Sequence, residues 1–242
     1  MKKLSISLLA IAALVSISAL HAQTVDEIIN KEVEATGGKD KISQIKSLYM
    51  ELSVQAMGNE NPATITILNG KGYKYESEYN GQKIVQCYTD TGGWMINPMA
   101  GATTAQPLPE DQYKASKDQI YIGGGLLDYA AKGAKAELLG REKIGDTDTY
   151  KIKITNADSA VTTYYVDPST YYVLKIVKTV NMMGQDMDIS ITLSNYQKTD
   201  YGYTVPYTSD INYGSQFSIT SNVKKVEINK DVDPAIFDMP KQ

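Results

Sequence analysis

The sequence predicts a mainly β protein with few helices: one strongly curled antiparallel sheet of about eleven or twelve strands, with helices over its concave side. Three observations predict it. Residues 48–97 and 136–228 alternate apolar and polar side chains with a period of two, the repeat of a half-buried strand. Turn pairs punctuate the first of these stretches, Gly58-Asn59, Asn69-Gly70, Asn80-Gly81 and Gly92-Gly93, and connections that short join antiparallel neighbours. Helical spacing is confined to the segment before residue 46 and to an interruption over 99–134.

Residues 1–22 stand outside this fold. Lys2-Lys3, an apolar run over 4–20 and a small residue, Ala22, at the cleavage position make an export signal. The run is too short and too broken by serines for a membrane anchor, and no cysteine follows Ala22 to take a lipid. Residues 23–242 are then expected to form one exported domain with no linker, repeat or low-complexity block.

In order, residues 24–36 read as a helix: Val25, Ile28, Ile29 and Val33 share a face, Thr24 caps it ahead of Glu27, and Gly37-Gly38 ends it. A shorter helix is expected over 39–45. Strands follow over 48–57, 63–69, 73–79, 82–88 and 94–97. The interruption is read as a helix over 110–121, a Gly123-Gly124-Gly125 hinge and a second short helix, packed over one face of the sheet. Strands resume over 136–143, 149–156, 161–167, 171–180, 188–196, 203–212 and 216–228. Asp167-Pro168-Ser169-Thr170 is a turn with proline at its second position, and Ile236, Phe237 and Met239 form a closing apolar strap.

Residues 72–98 carry the densest signal. Asn80-Gly81 suits a tight hairpin with positive φ at both positions. Placing Tyr79 opposite Gln82 sets Glu78 against Lys83, and Ser77, Tyr75 and Tyr73 against Ile84, Gln86 and Tyr88. One face is then charged and is expected to meet solvent through Lys74, Glu76, Glu78 and Lys83. The other is aromatic and is expected to look toward the insert, joined by Trp94 and Ile96 if residues 89–93 form the next turn.

Composition removes several kinds of chemistry. The one histidine, His21, lies in the export signal, so no histidine serves a catalytic triad or a metal site in the processed chain. Cys87 is the only thiol; it shares a face with Lys74 and Val85 and reads as a small packed apolar group. The formal charge of −4 becomes about −6 without Lys2 and Lys3, and no basic patch suits nucleic acid. The triple glycine lacks the Gly-Lys-Ser/Thr of a phosphate loop. Met182, Met183 and Met187 around Gly184 read as a flexible apolar tip rather than a cuprous site, having no histidine or cysteine beside them. Neither metal nor cofactor is expected, and no pair of carboxylates is distinctive enough to suggest an enzyme.

Several phrases, together with the order of elements, resemble the LolA-like family of secreted bacterial proteins, the outer-membrane lipoprotein-sorting or carrier proteins. They are ATGGKDKISQIKSL after the opening helix, GGWMINP before the insert, TYKIKIT, TTYYVDPSTYYVLKIV and the closing FDMP. The resemblance spans nearly all of 23–242. It implies an open antiparallel half-barrel closed by helices, an apolar cavity for acyl chains of lipoproteins or other lipids, and a membrane transport partner. The family's lipoprotein carriers use a cavity arginine; Arg141, the only arginine here, follows the insert in a different element and does not inherit that role.

The expected function is a periplasmic, non-enzymatic carrier of an acyl lipid or lipoprotein, monomeric, with Tyr73, Tyr75, Tyr88, Trp94, Ile96, Met99, Ile122, Leu126, Leu127, Met182 and Met187 lining the cavity. Eighteen tyrosines against two phenylalanines suit walls whose rings are apolar and whose hydroxyls reach a wet rim. The alternative is a protein-interaction or sensor module on the same scaffold, its concavity filled by its own side chains.

Overall fold

The structure, a computed structural model, describes residues 23–182, 185–214 and 217–241. The export signal read in residues 1–22, and Met183 and Gly184 of the methionine tip, lie outside the described residues. No described helix is long and apolar enough to cross a membrane.

Helix α1 (Val25–Thr36) carries the expected capping box: Thr24 Oγ1 accepts from the Glu27 N–H at 3.2 Å, and the Glu27 carboxylate accepts from the Thr24 N–H at 2.9 Å. These two bonds satisfy donors that a helix start leaves open. Its inward stripe, Ile28, Ile29 and Val33, is buried. Helix α2 (Lys39–Ser43) follows and buries Ile42.

The strands are β1 (Ser47–Ala56), β2 (Asn59–Leu68), β3 (Gly72–Tyr79), β4 (Gln82–Thr89), β5 (Gly93–Asn97), β6 (Ala102–Pro107), β7 (Lys135–Ile144), β8 (Thr147–Thr155), β9 (Val161–Val166), β10 (Val173–Met182), β11 (Gln185–Lys198), β12 (Thr204–Tyr213) and β13 (Phe217–Ile228). They form one antiparallel sheet in the order β6-β5-β4-β3-β2-β1-β13-β12-β11-β10-β9-β8-β7. The first meander runs outward from β1 to one edge. The second begins at the far edge and returns until β13 pairs with β1, from Leu48 opposite Ile228 to Ala56 opposite Ile219. Among the described residues β6 and β7 each pair on one side only, so the sheet is not closed.

That order dictates the path of the insert. Residues 108–134 must travel from one edge of the sheet to the other, and the short way runs over its face. Helix α3 (Glu110–Ser116) and a 3-10 turn (Lys117–Ile120) make this crossing, with α3 lying near β10.

Two differences from the sequence expectation stand out here. Strand β6 was read as part of the irregular insert, because its buried residues, Ala102 and Ala105, are small and three apart, and Pro107 ends it. It brings the count to thirteen strands. The expected helix over 110–121 is shorter, and 121–133 form turns rather than a second helix.

Candidate functional site

Cross-strand partners point to the same side of a sheet, so register assigns each face. The row Leu48, Ile67, Tyr73 and Tyr88 lies on one face. Helices α1 and α2 pack on this side: Leu48, Ile67, Ile152, Ile154 and Val166 form one buried cluster with Ile28, Ile29, Ile42 and Ile45, with Tyr73 at its border. This face is therefore the covered, concave one. Ile122, Leu126 and Leu127, expected to line a cavity, belong to the same cluster and are 3%, 3% and 7% exposed. They plug the end of the half-barrel nearest α1.

The rest of the concave face is filled less completely. Met50, Ile65 and Tyr75 border a second cluster of Leu52, Val54 and Ala63, with Ile219 and Val223 beside them. Ile176, Ile191 and Ile211 carry the same face across β10, β11 and β12, and each remains half-buried. Protein surrounds Tyr73, Lys178 and Tyr203 deeply enough for desolvation to dominate their ionisation, yet each keeps accessible surface. Groups that are deep but still touchable line a concave surface.

The curl that makes this concavity is visible in the tyrosines. Tyr213 of β12 and Tyr75 of β3 are four strand spacings apart, roughly 19 Å along a flat sheet. Tyr75 nonetheless lies near enough to raise the Tyr213 hydroxyl, and Tyr213 near enough to raise those of Tyr73 and Tyr88, each after burial. The curl thus brings the two meanders toward one another across the concavity. Burial first, and these neighbours second, push the Tyr73 hydroxyl well above its ordinary value. Burial pushes Tyr88 up to about 12.

Helix α3 closes this side as a lightly held cover. None of its residues is buried. It is tied by Tyr113, whose hydroxyl donates to the Thr89 carbonyl at 3.0 Å, and by the Lys114 carbonyl, which accepts from Asn156 Nδ2 at 3.3 Å; beyond its end, Lys117 pairs with Asp158. Two of the three glycines expected to hinge it are tightly packed, while Gly124 between them is open. A Cβ on Gly123 meets Leu127 at 2.7 Å and one on Gly125 meets the Tyr164 hydroxyl at 2.5 Å.

The register of the Asn80-Gly81 hairpin is the expected one, from Tyr79 opposite Gln82 to Tyr73 opposite Tyr88. Both turn residues have positive φ, 51° and 76°. The next turn differs by one residue. Thr89 N–H donates to the Gly92 carbonyl at 2.7 Å, so Gly93 pairs with Tyr88, Trp94 with Cys87 and Ile96 with Val85. A one-residue offset moves a strand's side chains to the other face. Trp94 and Ile96 therefore do not join Tyr73, Tyr75 and Tyr88, as expected, but point to the convex side.

That convex face is not simply wet either. The closing strap, through the 3-10 turn Pro234–Phe237, lays Phe237 over Val85, Cys87 and Trp94, and these four are buried with Ala105. Trp94 Nε1 donates to the Phe237 carbonyl at 2.8 Å, and Cys87 Sγ to the same oxygen at 3.4 Å. Lys74, expected in solvent, is 14% exposed, with Glu76 at 3.1 Å and the Trp94 ring at 5.8 Å. Lys83 and Glu78 do reach solvent. Burial pushes the Cys87 thiol up to about 12, consistent with packing rather than reactivity.

Of the remaining expected residues, Met99 is 59% exposed in a 3-10 turn, away from the tyrosines of the concave face. Met187 of β11 lies against Gly214 at the end of β12, within 3.7 Å of that glycine's Cβ position. Met182 ends β10, and its side chain lies outside the described residues. Arg141 sits on the edge strand β7, bonded to Asp148 and stacked 4.4 Å from the Tyr150 ring.

Two titratable groups of the interior escaped the sequence reading. Glu32 lies on the inner side of α1 near Tyr164, Tyr196 and Tyr203, and burial raises its carboxyl to about 8. Lys178 lies on β10, whose Ile176 and Val180 share its face. Period-two alternation was present in IVKTV, but a lysine in an apolar strand is ordinarily assigned to solvent.

Clefts open at the surface among the described residues. One, of about 140 Å³, lies between the insert and the β8–β9 turn, lined by Tyr113, Asp118, Tyr121, Lys132 and Asn156. Another, of about 550 Å³, flanks the strap at Thr91, Trp94, Pro107 and Met239. Neither is lined by the tyrosines of the concave face. Among the described residues no group of His, Cys, Asp or Glu is placed to hold a metal.

No protein-family model and no curated protein matches the sequence. Solved structures match the fold. A LolA superfamily protein from Nitrosomonas europaea is 14% identical, with a TM-score of 0.59 over 90% of this chain and 98% of its own. A domain described as an outer membrane lipoprotein-sorting protein, from Vibrio parahaemolyticus, is 14% identical, with a TM-score of 0.55 over 88% and 95%. A DUF1329 family protein from Desulfovibrio piger is 11% identical, with a TM-score of 0.51 over 90% and 98%. At this identity the likeness is one of fold: the chain shares the fold of these structures, a LolA superfamily protein among them.

Proposed function

We propose that the protein is an exported acyl carrier: a lipid, or the acylated end of a lipoprotein, lays its chain along the concave face beneath α3. The observation that carries this reading is the unfilled part of that face, where Ile176, Ile191, Ile211 and Tyr75 stay half-buried under a cover with no buried residue of its own. Each methylene removed from water contributes about 0.8 kcal/mol. Eight of them, roughly 6 kcal/mol, give useful affinity without a covalent step. The fold likeness to a lipoprotein-sorting domain supports the same reading. Residues 1–22 act as the export signal, cleaved near Ala22, and place the carrier in the periplasm as a monomer that meets a membrane partner. It carries out no catalysis.

The filled end of the half-barrel, with Ile122, Leu126 and Leu127 in the core, favours a second reading in which the concavity serves only as core and the surface recognises a protein. Native mass spectrometry of protein exported by living cells separates the two. Co-purified lipid, released when the concave face is blocked by Ile191→Trp, supports the carrier. A clean ligand-free mass, with no binding of a fluorescent fatty acid, supports the interaction module.

A further inference from the structure

We propose that Lys178 anchors an anionic oxygen headgroup, a carboxylate or a phosphate, of the amphiphile whose chain the concave face holds. This deepens the carrier reading and rests on it. Lys178 stands opposite Thr162 of β9 and Ile189 of β11, so it shares the concave side with Ile176 and Val180. The neighbouring Lys175 faces the other way, over the Tyr165 ring. An alternating strand thus spends one inward position on a cation.

That position lies under the crossing of α3, and protein surrounds it. Burial lowers the Lys178 pKa, and the one opposing charge that acts on it is Asp118, from the 3-10 turn after α3. Asp118 is not a bonded partner: Lys178 makes no hydrogen bond or ion pair among the described residues, whereas the Asp118 carboxylate accepts from Asn156 Nδ2 at 3.4 Å. An ammonium set deep among protein, with some accessible surface but no bonded anion, is costly, and a strand of isoleucines would hold an acyl chain without it. The inward ammonium is explained if the cargo brings the missing anion. Its apolar neighbours then receive the first methylenes of the chain, and Thr162 beside it offers a hydroxyl to the same headgroup. A neutral lipid would leave the charge unmet.

The test uses the processed chain and displacement of a fluorescent acyl probe by three ligands of equal tail length: palmitate, a lysophosphatidate and hexadecanol. Wild type is expected to bind at least one of the two anions about tenfold or more tightly than the alcohol, the scale of one charge-assisted hydrogen bond. Whichever anion is preferred identifies carboxylate or phosphate as the source. Lys178→Met should bind hexadecanol as wild type does and lose the preference, while Lys178→Arg should keep it. Thermal unfolding accompanies each variant; Lys178→Met is expected to be at least as stable as wild type, since it removes a partly desolvated charge that has no bonded anion. A wild type that binds hexadecanol as tightly as both anions, or a Lys178→Met that retains the preference, overturns the assignment while leaving the carrier intact. Failure of all three ligands to bind overturns the carrier and this inference together.

Discussion

Trp94 donates its indole N–H to the Phe237 carbonyl at 2.8 Å, on the opposite side of the sheet from Tyr73 and Tyr88. The sole tryptophan therefore reports on the closing strap and not on the concave face. Its emission should stay unchanged when an acyl ligand is added, and should move to the red in Phe237→Ala, which opens the convex cluster to water. A blue shift on adding lipid would place the ligand at the strap. Truncating a buried phenylalanine costs about 3–5 kcal/mol, so the same variant should unfold at visibly lower denaturant.

Gly72 makes room for the strap. A Cβ there lies 2.5 Å from Phe237 Cγ, with the ring carbons Cδ1 and Cδ2 equally crowded. Gly72→Ala is expected to destabilise by about 1–3 kcal/mol through overpacking. The cost should shrink in a Phe237→Ala background, because the clash partner is gone. Equal losses in both backgrounds would assign the effect to the backbone of β3 instead.

Glu32 gives the fold a pH dependence whose sign is fixed by burial. Its folded value, about 8, lies above its ordinary 4.5, so between these two values the folded chain holds a proton that the unfolded chain has lost. Stability then falls as pH rises through that window, by up to about 5 kcal/mol in total. Glu32→Gln removes the dependence. Urea unfolding at pH 5 and pH 8.5 should show the variant close to wild type at the lower pH and clearly more stable at the higher. A gap that does not widen with pH would mean that the carboxyl is solvated.

Cys87 is fully buried beneath Phe237 and its thiol is raised to about 12 by burial. A thiol reagent should label it slowly in the native chain and quickly in denaturant, with Phe237→Ala falling between. Rapid native labelling would show that the strap is open in solution.

Much of the fold was legible because period and turn chemistry agreed. Thr24 with Glu27, Asn80-Gly81, and Tyr150, Ile152 and Ile154 alternating with Lys151 and Lys153 each specify an element locally, and each takes the expected form. What was not legible depended on single-residue offsets or on distant contacts. Trp94 changed face because the preceding turn ends at Gly92 rather than Gly93. Strand β6 was missed because Ala102 and Ala105 give almost no apolar signal. The packing of Gly123 and Gly125 against Leu127 and Tyr164, and the inward turn of Lys178, arise only when distant strands meet. The tyrosines at 73, 75 and 88 share one face, as the hairpin register implies; Ile122, Leu126 and Leu127, read as cavity-lining, are packed into the buried core cluster.

The most direct measurement of the central claim is mapping where a bound chain touches the protein. A palmitate carrying a photoactivatable diazirine near its methyl end is bound, irradiated, and its adducts are located by peptide mass spectrometry. Adducts are expected on concave residues of β10 to β12, Ile176, Ile191 and Ile211 foremost, and are expected to be lost when excess unlabelled palmitate competes. Adducts confined to the strap and its convex neighbours, Leu68, Trp94 and Ile236, would contradict the claim.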